Sequence, residues 1–266
     1  MRIERRPFSC KRGAFAIRGF AYKCERNNGI PVIMSHAFLF NQRMMRKYAE
    51  ALAKEGYVVF TYDFCGGASF GKSDGAFRDM SIDTEKDDLK AVIAYVETLR
   101  EVDINRLVLL GASQGGFVSC LVAAEYQERI SKLILLYPAL CIPDDARAGK
   151  MLMIRFDPAH IQETMRSRPF HFSPEYPESA IGINIEEELQ KIKVPILILH
   201  GTADRIVDIG YARSAEAVFA NSESRLIVVD KAGHGFNRAQ VRAAIGHMIA
   251  FLNDAESGLP DLVRRK

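Results

Sequence analysis

Short, nearly continuous apolar runs alternate along this chain with longer stretches whose apolar residues recur every three or four positions. The runs Val32–Ser35, Tyr57–Asp63, Leu107–Gly111, Lys132–Tyr137, Pro195–His200 and Leu226–Asp230 have the length of strands. Because they are nearly unbroken, they predict strands buried on both faces, as in a parallel sheet. Between them, Met45, Tyr48, Ala49 and Leu52 share one helical face, as do Leu89, Val92, Ile93, Val96 and Leu99. The clearest stripe is Val241, Ala244, Ile245, Met248, Ile249 and Leu252. Residues 3–9 and 14–23 are expected to form an antiparallel hairpin on the sheet edge. Such alternation of strand and helix predicts an α/β fold, a mostly parallel sheet with helices on both faces.

The rhythm stops after Pro138. From there to about Gln190 no run of the core type occurs, but Pro143, Pro158, Pro169, Pro174 and Pro177 do, together with Met151, Leu152, Met153, Ile154, Phe156, Phe170, Phe172 and Tyr176. A bare loop of that length is rare inside a compact domain. The expected organisation is a core of residues 1–137 and 191–253, an inserted cap of residues 138–190, helical or irregular, over one end of the sheet, and a polar tail, 254–266.

Composition narrows the function classes. The 266 residues, 48% hydrophobic and 26% charged, can bury a core without a disulfide or metal staple. A formal net charge of +3 is too weak to point to nucleic acid or a membrane surface. A small-molecule partner is expected instead, with a homodimer left open. Cys10, Cys24, Cys65, Cys120 and Cys141 show no C-x-x-C spacing and are expected as reduced thiols in a cytoplasmic protein. No signal-peptide h-region follows the basic N-terminal residues, and no apolar run approaches the ~20 residues of a membrane helix.

Two motifs compete. Gly66-Gly67-Ala68-Ser69-Phe70-Gly71-Lys72-Ser73 matches the phosphate loop G-x-x-x-x-G-K-S formally and follows a predicted strand. That chemistry needs a helix to start at the Lys-Ser pair, so that its amides face phosphate. Here Asp74-Gly75 follow instead, and the next helix is expected near Thr84, with Asp87 as its capping-box acid. Nucleotide binding by this loop is not expected. The second motif, Gly111-Ala112-Ser113-Gln114-Gly115, has the strand Leu107–Gly111 before it and a helix with Phe117, Val118, Leu121 and Val122 after it. Small residues on both sides permit the strained turn that lifts a nucleophilic Ser hydroxyl above the sheet edge.

A serine hydroxyl needs a base, and the base needs an orienter. Both follow in the order acid, then histidine. Asp204 lies in the loop after the strand Pro195–His200, and His234 lies in the loop after Leu226–Asp230. Three polar residues at the carboxyl ends of parallel strands converge on one edge. Asp208 is the better cap for the helix from Ile209. The tetrahedral intermediate also needs fixed donors: the N–H of Gln114, and one from the loop His36-Ala37-Phe38. His36 and His200 are expected to hold loops by hydrogen bonds. No metal or cofactor is expected.

With these motifs the chain resembles the α/β-hydrolase superfamily and, within it, bacterial feruloyl/cinnamoyl esterases with a small inserted cap. The resemblance also rests on Asp63-Phe64, Gly71-Lys72-Ser73-Asp74-Gly75, Asp145-Ala146-Arg147-Ala148-Gly149, Pro158 with His160-Ile161, and His200-Gly201-Thr202-Ala203-Asp204. It implies Ser113, Asp204 and His234 as a catalytic triad and the amides of Phe38 and Gln114 as the oxyanion hole. It further implies Asp145 as partner of a substrate's phenolic hydroxyls. Ala37 departs from the family's usual glycine, and Gly66–Phe70 is an insertion in a loop that is normally shorter. The expected function is a serine esterase acting on hydroxycinnamate or short-acyl esters. Its alternatives are a serine peptidase or acyltransferase of the same fold, and a non-catalytic hydrolase-fold binding protein.

Overall fold

The computed structural model describes residues 2–152, 154–163, 165–167, 170–219 and 224–253; the polar tail 254–266 lies outside them. Strands β1 (Ile3–Arg12) and β2 (Phe15–Cys24) form an antiparallel hairpin. Then come β3 (Pro31–Ser35), α1 (Arg46–Lys54), β4 (Val58–Tyr62), α2 (Ile82–Glu97), β5 (Leu107–Ala112), α3 (Gln114–Glu125) and β6 (Ile130–Leu136). The interposed segment holds α4 (Ile142–Arg147), the small hairpins β7 (Lys150–Met151) with β8 (Ile154–Arg155) and β9 (Met165–Ser167) with β10 (Phe170–Phe172), α5 (Glu175–Ile181) and α6 (Ile185–Lys191). The chain returns through β11 (Ile196–Gly201), α7 (Ile209–Val218), β12 (Ser224–Val229) and α8 (Arg238–Asn253).

The main sheet has eight strands in the order β1-β2-β4-β3-β5-β6-β11-β12. β2 pairs antiparallel with β4, and every pairing from β4 onward to β12 is parallel. Alternate residues of the central strands feed two separate cores, which is why the runs are unbroken. Ile33, Phe60 and Leu109 pack toward α2 and α3, against Leu89, Val92, Val96 and Phe117. Val32, Met34, Val59, Val108 and Leu110 pack the other way, against Tyr48 and Leu52 of α1 and Met248 and Phe251 of α8. Each such buried aliphatic or aromatic side chain contributes about 1.5–3 kcal/mol relative to exposure. No helix among the described residues is long and apolar enough to cross a membrane.

Three expectations change. β12 is only half-buried, with Val228 46% exposed, because it is the outermost strand. α2 starts at Ile82, where Ser81 Oγ accepts from Thr84 N (3.1 Å) and Thr84 Oγ1 accepts from Ser81 N (2.8 Å). This reciprocal pair does the work expected of Asp87, one turn earlier. The segment after β6 is not simply helical or irregular: Phe170-His171-Phe172 alternates inward and outward, the period of a strand. The cysteines are as expected: Cys10 faces Ile17 and Cys24 faces Ile3 across the hairpin, and all five thiols are free.

Candidate active site

Ser113 joins β5 to α3 with φ 53° and ψ −120°. A residue with a β-carbon pays about 1–3 kcal/mol for such backbone and keeps it only when its surroundings impose it. Here Ser113 N donates to Leu136 O (2.9 Å), while its carbonyl accepts from Gly116 N (2.9 Å), Ala139 N (3.0 Å) and Phe117 N (3.1 Å). The flanking glycines are required by crowding. A β-carbon on Gly111 would lie 2.2 Å from Gly115 O, and one on Gly115 would lie 2.4 Å from His36 O.

The loops after β11 and β12 bring Asp204 and His234 to this turn. His234 Nε2 lies 2.8 Å from Ser113 Oγ, and its Nδ1 lies 2.8 Å from Asp204 Oδ2. With the proton on Nδ1 held by the carboxylate, Nε2 accepts from the serine hydroxyl. Tyr137 meets the imidazole edge-on, with ring centroids 5.1 Å apart. Asp204 Oδ1 accepts from Ile206 N (2.9 Å) and Val207 N (3.0 Å). Burial alone would raise its pKa, but hydrogen bonds from His200, His234 and these amides win and hold it well below the usual carboxylate range. Asp208 caps α7 by accepting from Gly210 N (2.6 Å), so Asp204 is not needed as a cap.

His200 holds a loop by a hydrogen bond, as expected, and is also a partner of Asp204 that motif reading did not name. Fully buried at the end of β11, it places Nε2 3.2 Å from Asp204 Oδ2 and 3.1 Å from Val207 O. Its position four residues before Asp204 was the available signal, but reading it required knowing that the chain doubles back there.

The loop after β3 carries the second expected donor. His36 Nδ1 donates to Ala37 O (2.8 Å) and its Nε2 accepts from Phe64 N (3.0 Å), so the ring is a neutral strut. Burial lowers its pKa accordingly. Leu39, at φ 61°, takes the left-handed turn; Ala37 does not, so alanine fits without strain. Further along, buried Asp63 accepts from Gln42 N (2.8 Å), Gln42 Nε2 (3.1 Å) and Lys72 N (2.8 Å). These bonds pin the loop that presents the Phe38 amide. Neither that amide nor the Gln114 amide has an internal acceptor among the described residues.

A cavity of about 230 Å³ opens beside Ser113, walled by Phe38, Ile142, Asp145, Met151, Tyr176 and Ile206. Asp145 lies inside α4 rather than at its cap, and its carboxylate is 3.7 Å from Lys150 Nζ. Behind the cavity runs a buried polar chain. Tyr176 Oη donates to Gln114 Oε1 (2.6 Å), and Gln114 Nε2 donates to Glu85 Oε2 (2.9 Å). Burial pushes the Glu85 carboxyl up to about 8, the Gln114 bond opposing and Asp88 reinforcing the shift.

A folded-state pKa above the unfolded one means stability is lost as pH rises from about 4.5 to about 8. Glu85→Gln keeps the acceptor and abolishes the titration. The expected result is a melting temperature that falls less over this range than in the wild type, by the equivalent of a few kcal/mol at pH 8. Parallel curves in a pH-resolved thermal melt would contradict it.

The described residues hold no group of three or more His, Cys, Asp or Glu placed to bind a metal. In the phosphate-loop match, Lys72 N is engaged by Asp63 and Gly71 N by Ala68 O (3.3 Å), and the next α-helix begins only at Ile82. Comparison with known proteins agrees with the fold. The family model described as "Serine aminopeptidase, S33" matches residues 30–169, and one described as "TAP-like protein" matches residues 178–262. An AB hydrolase superfamily protein of Bacillus subtilis, YisY, is 27% identical over 241 residues, 78% of this chain and 86% of that protein. Est1E of Butyrivibrio proteoclasticus, solved with ferulic acid bound, superposes with a TM-score of 0.84 at 24% identity, covering 92% of this chain and 99% of that one. The Pyrococcus furiosus esterase Pf2001 gives 0.71 at 21% identity, over 94% and 92%.

Proposed function

Since the chain belongs to the serine aminopeptidase S33 family of α/β hydrolases and is a hydrolase, we propose that it is a serine esterase using Ser113, His234 and Asp204. Ser113 Oγ attacks the ester carbonyl carbon while His234 Nε2 takes its proton. The amides of Phe38 and Gln114 receive the oxyanion, and His234 returns the proton to the departing alkoxide. Water, deprotonated by the same imidazole, then attacks the acyl-serine and frees the acid. Asp204 keeps the imidazole in the required tautomer and stabilises it when charged. The observation that carries this reading is the unbroken line of 2.8 Å contacts from Ser113 through His234 to Asp204.

The cavity of about 230 Å³ lies below the ~300–1,000 Å³ of drug-sized sites, which favours an acyl group of one ring or a short chain. The ferulic acid in the Est1E structure supports a hydroxycinnamoyl group, with Asp145 accepting from a ring hydroxyl. A lost hydrogen bond to a charged acceptor corresponds to roughly ten- to a hundredfold. Asp145→Ala is therefore expected to lower kcat/KM by about that factor on methyl caffeate and methyl ferulate, and to spare p-nitrophenyl butyrate. Equal loss on both classes would leave a short-acyl esterase. The matched family description favours a peptidase as the second reading. Release of p-nitroaniline from aminoacyl anilides as fast as ester turnover would replace the esterase assignment.

A further inference from the structure

A second hollow, of about 300 Å³, opens between the β1–β2 hairpin, the approach to α1 and the loop ending at Lys72, and it shares no lining residue with the Ser113 cavity. Arg5, Arg43, Arg46 and Lys72 line it. Arg46 is paired with Glu50 (2.6 Å), but the other three make no ion pair among the described residues. The Arg5 guanidinium instead sits 3.5 Å from the Phe20 ring centroid, with Lys72 Nζ 5.8 Å from the same ring. The carboxylate in the wall, Asp63, is 1% exposed and already accepts the three N–H bonds from Gln42 and Lys72. Positive charge in this concavity is thus in excess, and such a surface concentrates anions.

An aromatic ring stands at its rim. Phe70 is 95% exposed on backbone at φ 53°, a conformation that residues other than glycine adopt only at a cost. Asn41 Nδ2 holds the loop in place by donating to Ser69 O (2.9 Å). Nothing in the ester chemistry uses this insertion, its exposed ring or the Lys72 side chain, since Lys72 reaches Asp63 through its backbone amide.

We propose that this hollow is a second ligand site, for a small organic phosphate carrying an aromatic group. A phosphate dianion offers three terminal oxygens, enough to engage Arg5, Arg43 and Lys72 together, where a carboxylate's two would leave one cation unmatched. The ring then stacks on Phe70. This is not phosphate-loop binding, since the loop amides of Gly71 and Lys72 are occupied internally; the side chains supply the contacts.

The test is calorimetric titration of the full chain with phenyl phosphate, inorganic phosphate and benzoate. Phenyl phosphate is expected to saturate one site and to bind more tightly than either of the others. Arg43→Ala/Lys72→Ala is expected to weaken it tenfold or more. Phe70→Ala, at a position 95% exposed, is expected to weaken phenyl phosphate about two- to tenfold and leave inorganic phosphate unchanged. Ester turnover and melting temperature should stay at the wild-type level in both variants, because the Lys72 bond to Asp63 runs through the backbone amide, which alanine keeps. Absence of saturation at millimolar ligand, or equal affinity in wild type and double variant, would overturn the site. Equal affinity for phenyl and inorganic phosphate would overturn its aromatic half. Loss of phenyl phosphate binding once Ser113 carries a fluorophosphonate would place the ligand in the ester cavity instead.

Discussion

Ser113→Ala is expected to lower kcat on p-nitrophenyl esters by about 10⁶-fold, leaving only the acceleration that oxyanion donors and binding provide without a nucleophile. The reason is local. The serine Oγ is hydrogen-bonded to His234 Nε2 at 2.8 Å, and deleting it removes the atom that forms the acyl bond. Alanine keeps the β-carbon, so the cost of the φ 53° backbone is the same in both proteins, and the turn is held by main-chain bonds that do not involve the hydroxyl. Thermal melting should therefore be nearly unchanged. Fluorophosphonate should label the wild type at Ser113 and fail to label the variant. Ester turnover within tenfold of wild type in an active, folded Ser113→Ala protein would remove Ser113 from the chemistry.

Asp204→Asn is expected to cost about 10⁴-fold in kcat with the protein still folded. The carboxylate meets four donors: His234 Nδ1, His200 Nε2 and the amides of Ile206 and Val207. An asparagine can satisfy the two amides with its oxygen, but its NH₂ then faces His234. The imidazole turns to the other tautomer, with the proton on Nε2, and can no longer accept from Ser113. A second readout follows from linkage. The folded-state pKa of Asp204 is depressed below its ordinary 3.8, so its contribution to stability is present above that pH and is lost as acid protonates it. The wild type should lose part of its stability below about pH 4, while Asp204→Asn should lack that component. Near-wild-type kcat, or identical acid melting curves, would contradict this role.

Much of the architecture was legible because it is written in local periodicity. The unbroken runs around Ile33, Phe60 and Leu109 announced strands with two buried faces, and in the fold they feed two cores. The glycine spacing around Ser113 was equally readable, since a strand running in and a helix running out are properties of neighbouring residues. Periodicity misled where position in the sheet mattered. The residues of β12 read as doubly buried but lie at an edge, and no property of a single run says which strand comes last.

By itself, then, the amino-acid sequence determined the strand–helix alternation, the turn at Ser113 and the placing of Asp204 and His234 just beyond strand ends. Each follows from backbone sterics and from burial patterns within a few residues. Only the tertiary structure decided what meets across the loops. It set His200 beside Asp204 and Glu85 beneath Gln114 and Tyr176. It also closed Gln42 and Lys72 onto Asp63 and brought Arg5, Arg43 and Lys72 around one hollow. Most of these groups come from separate segments, and their meeting depends on how loops close over the sheet, a balance of chain entropy and packing that no local pattern encodes.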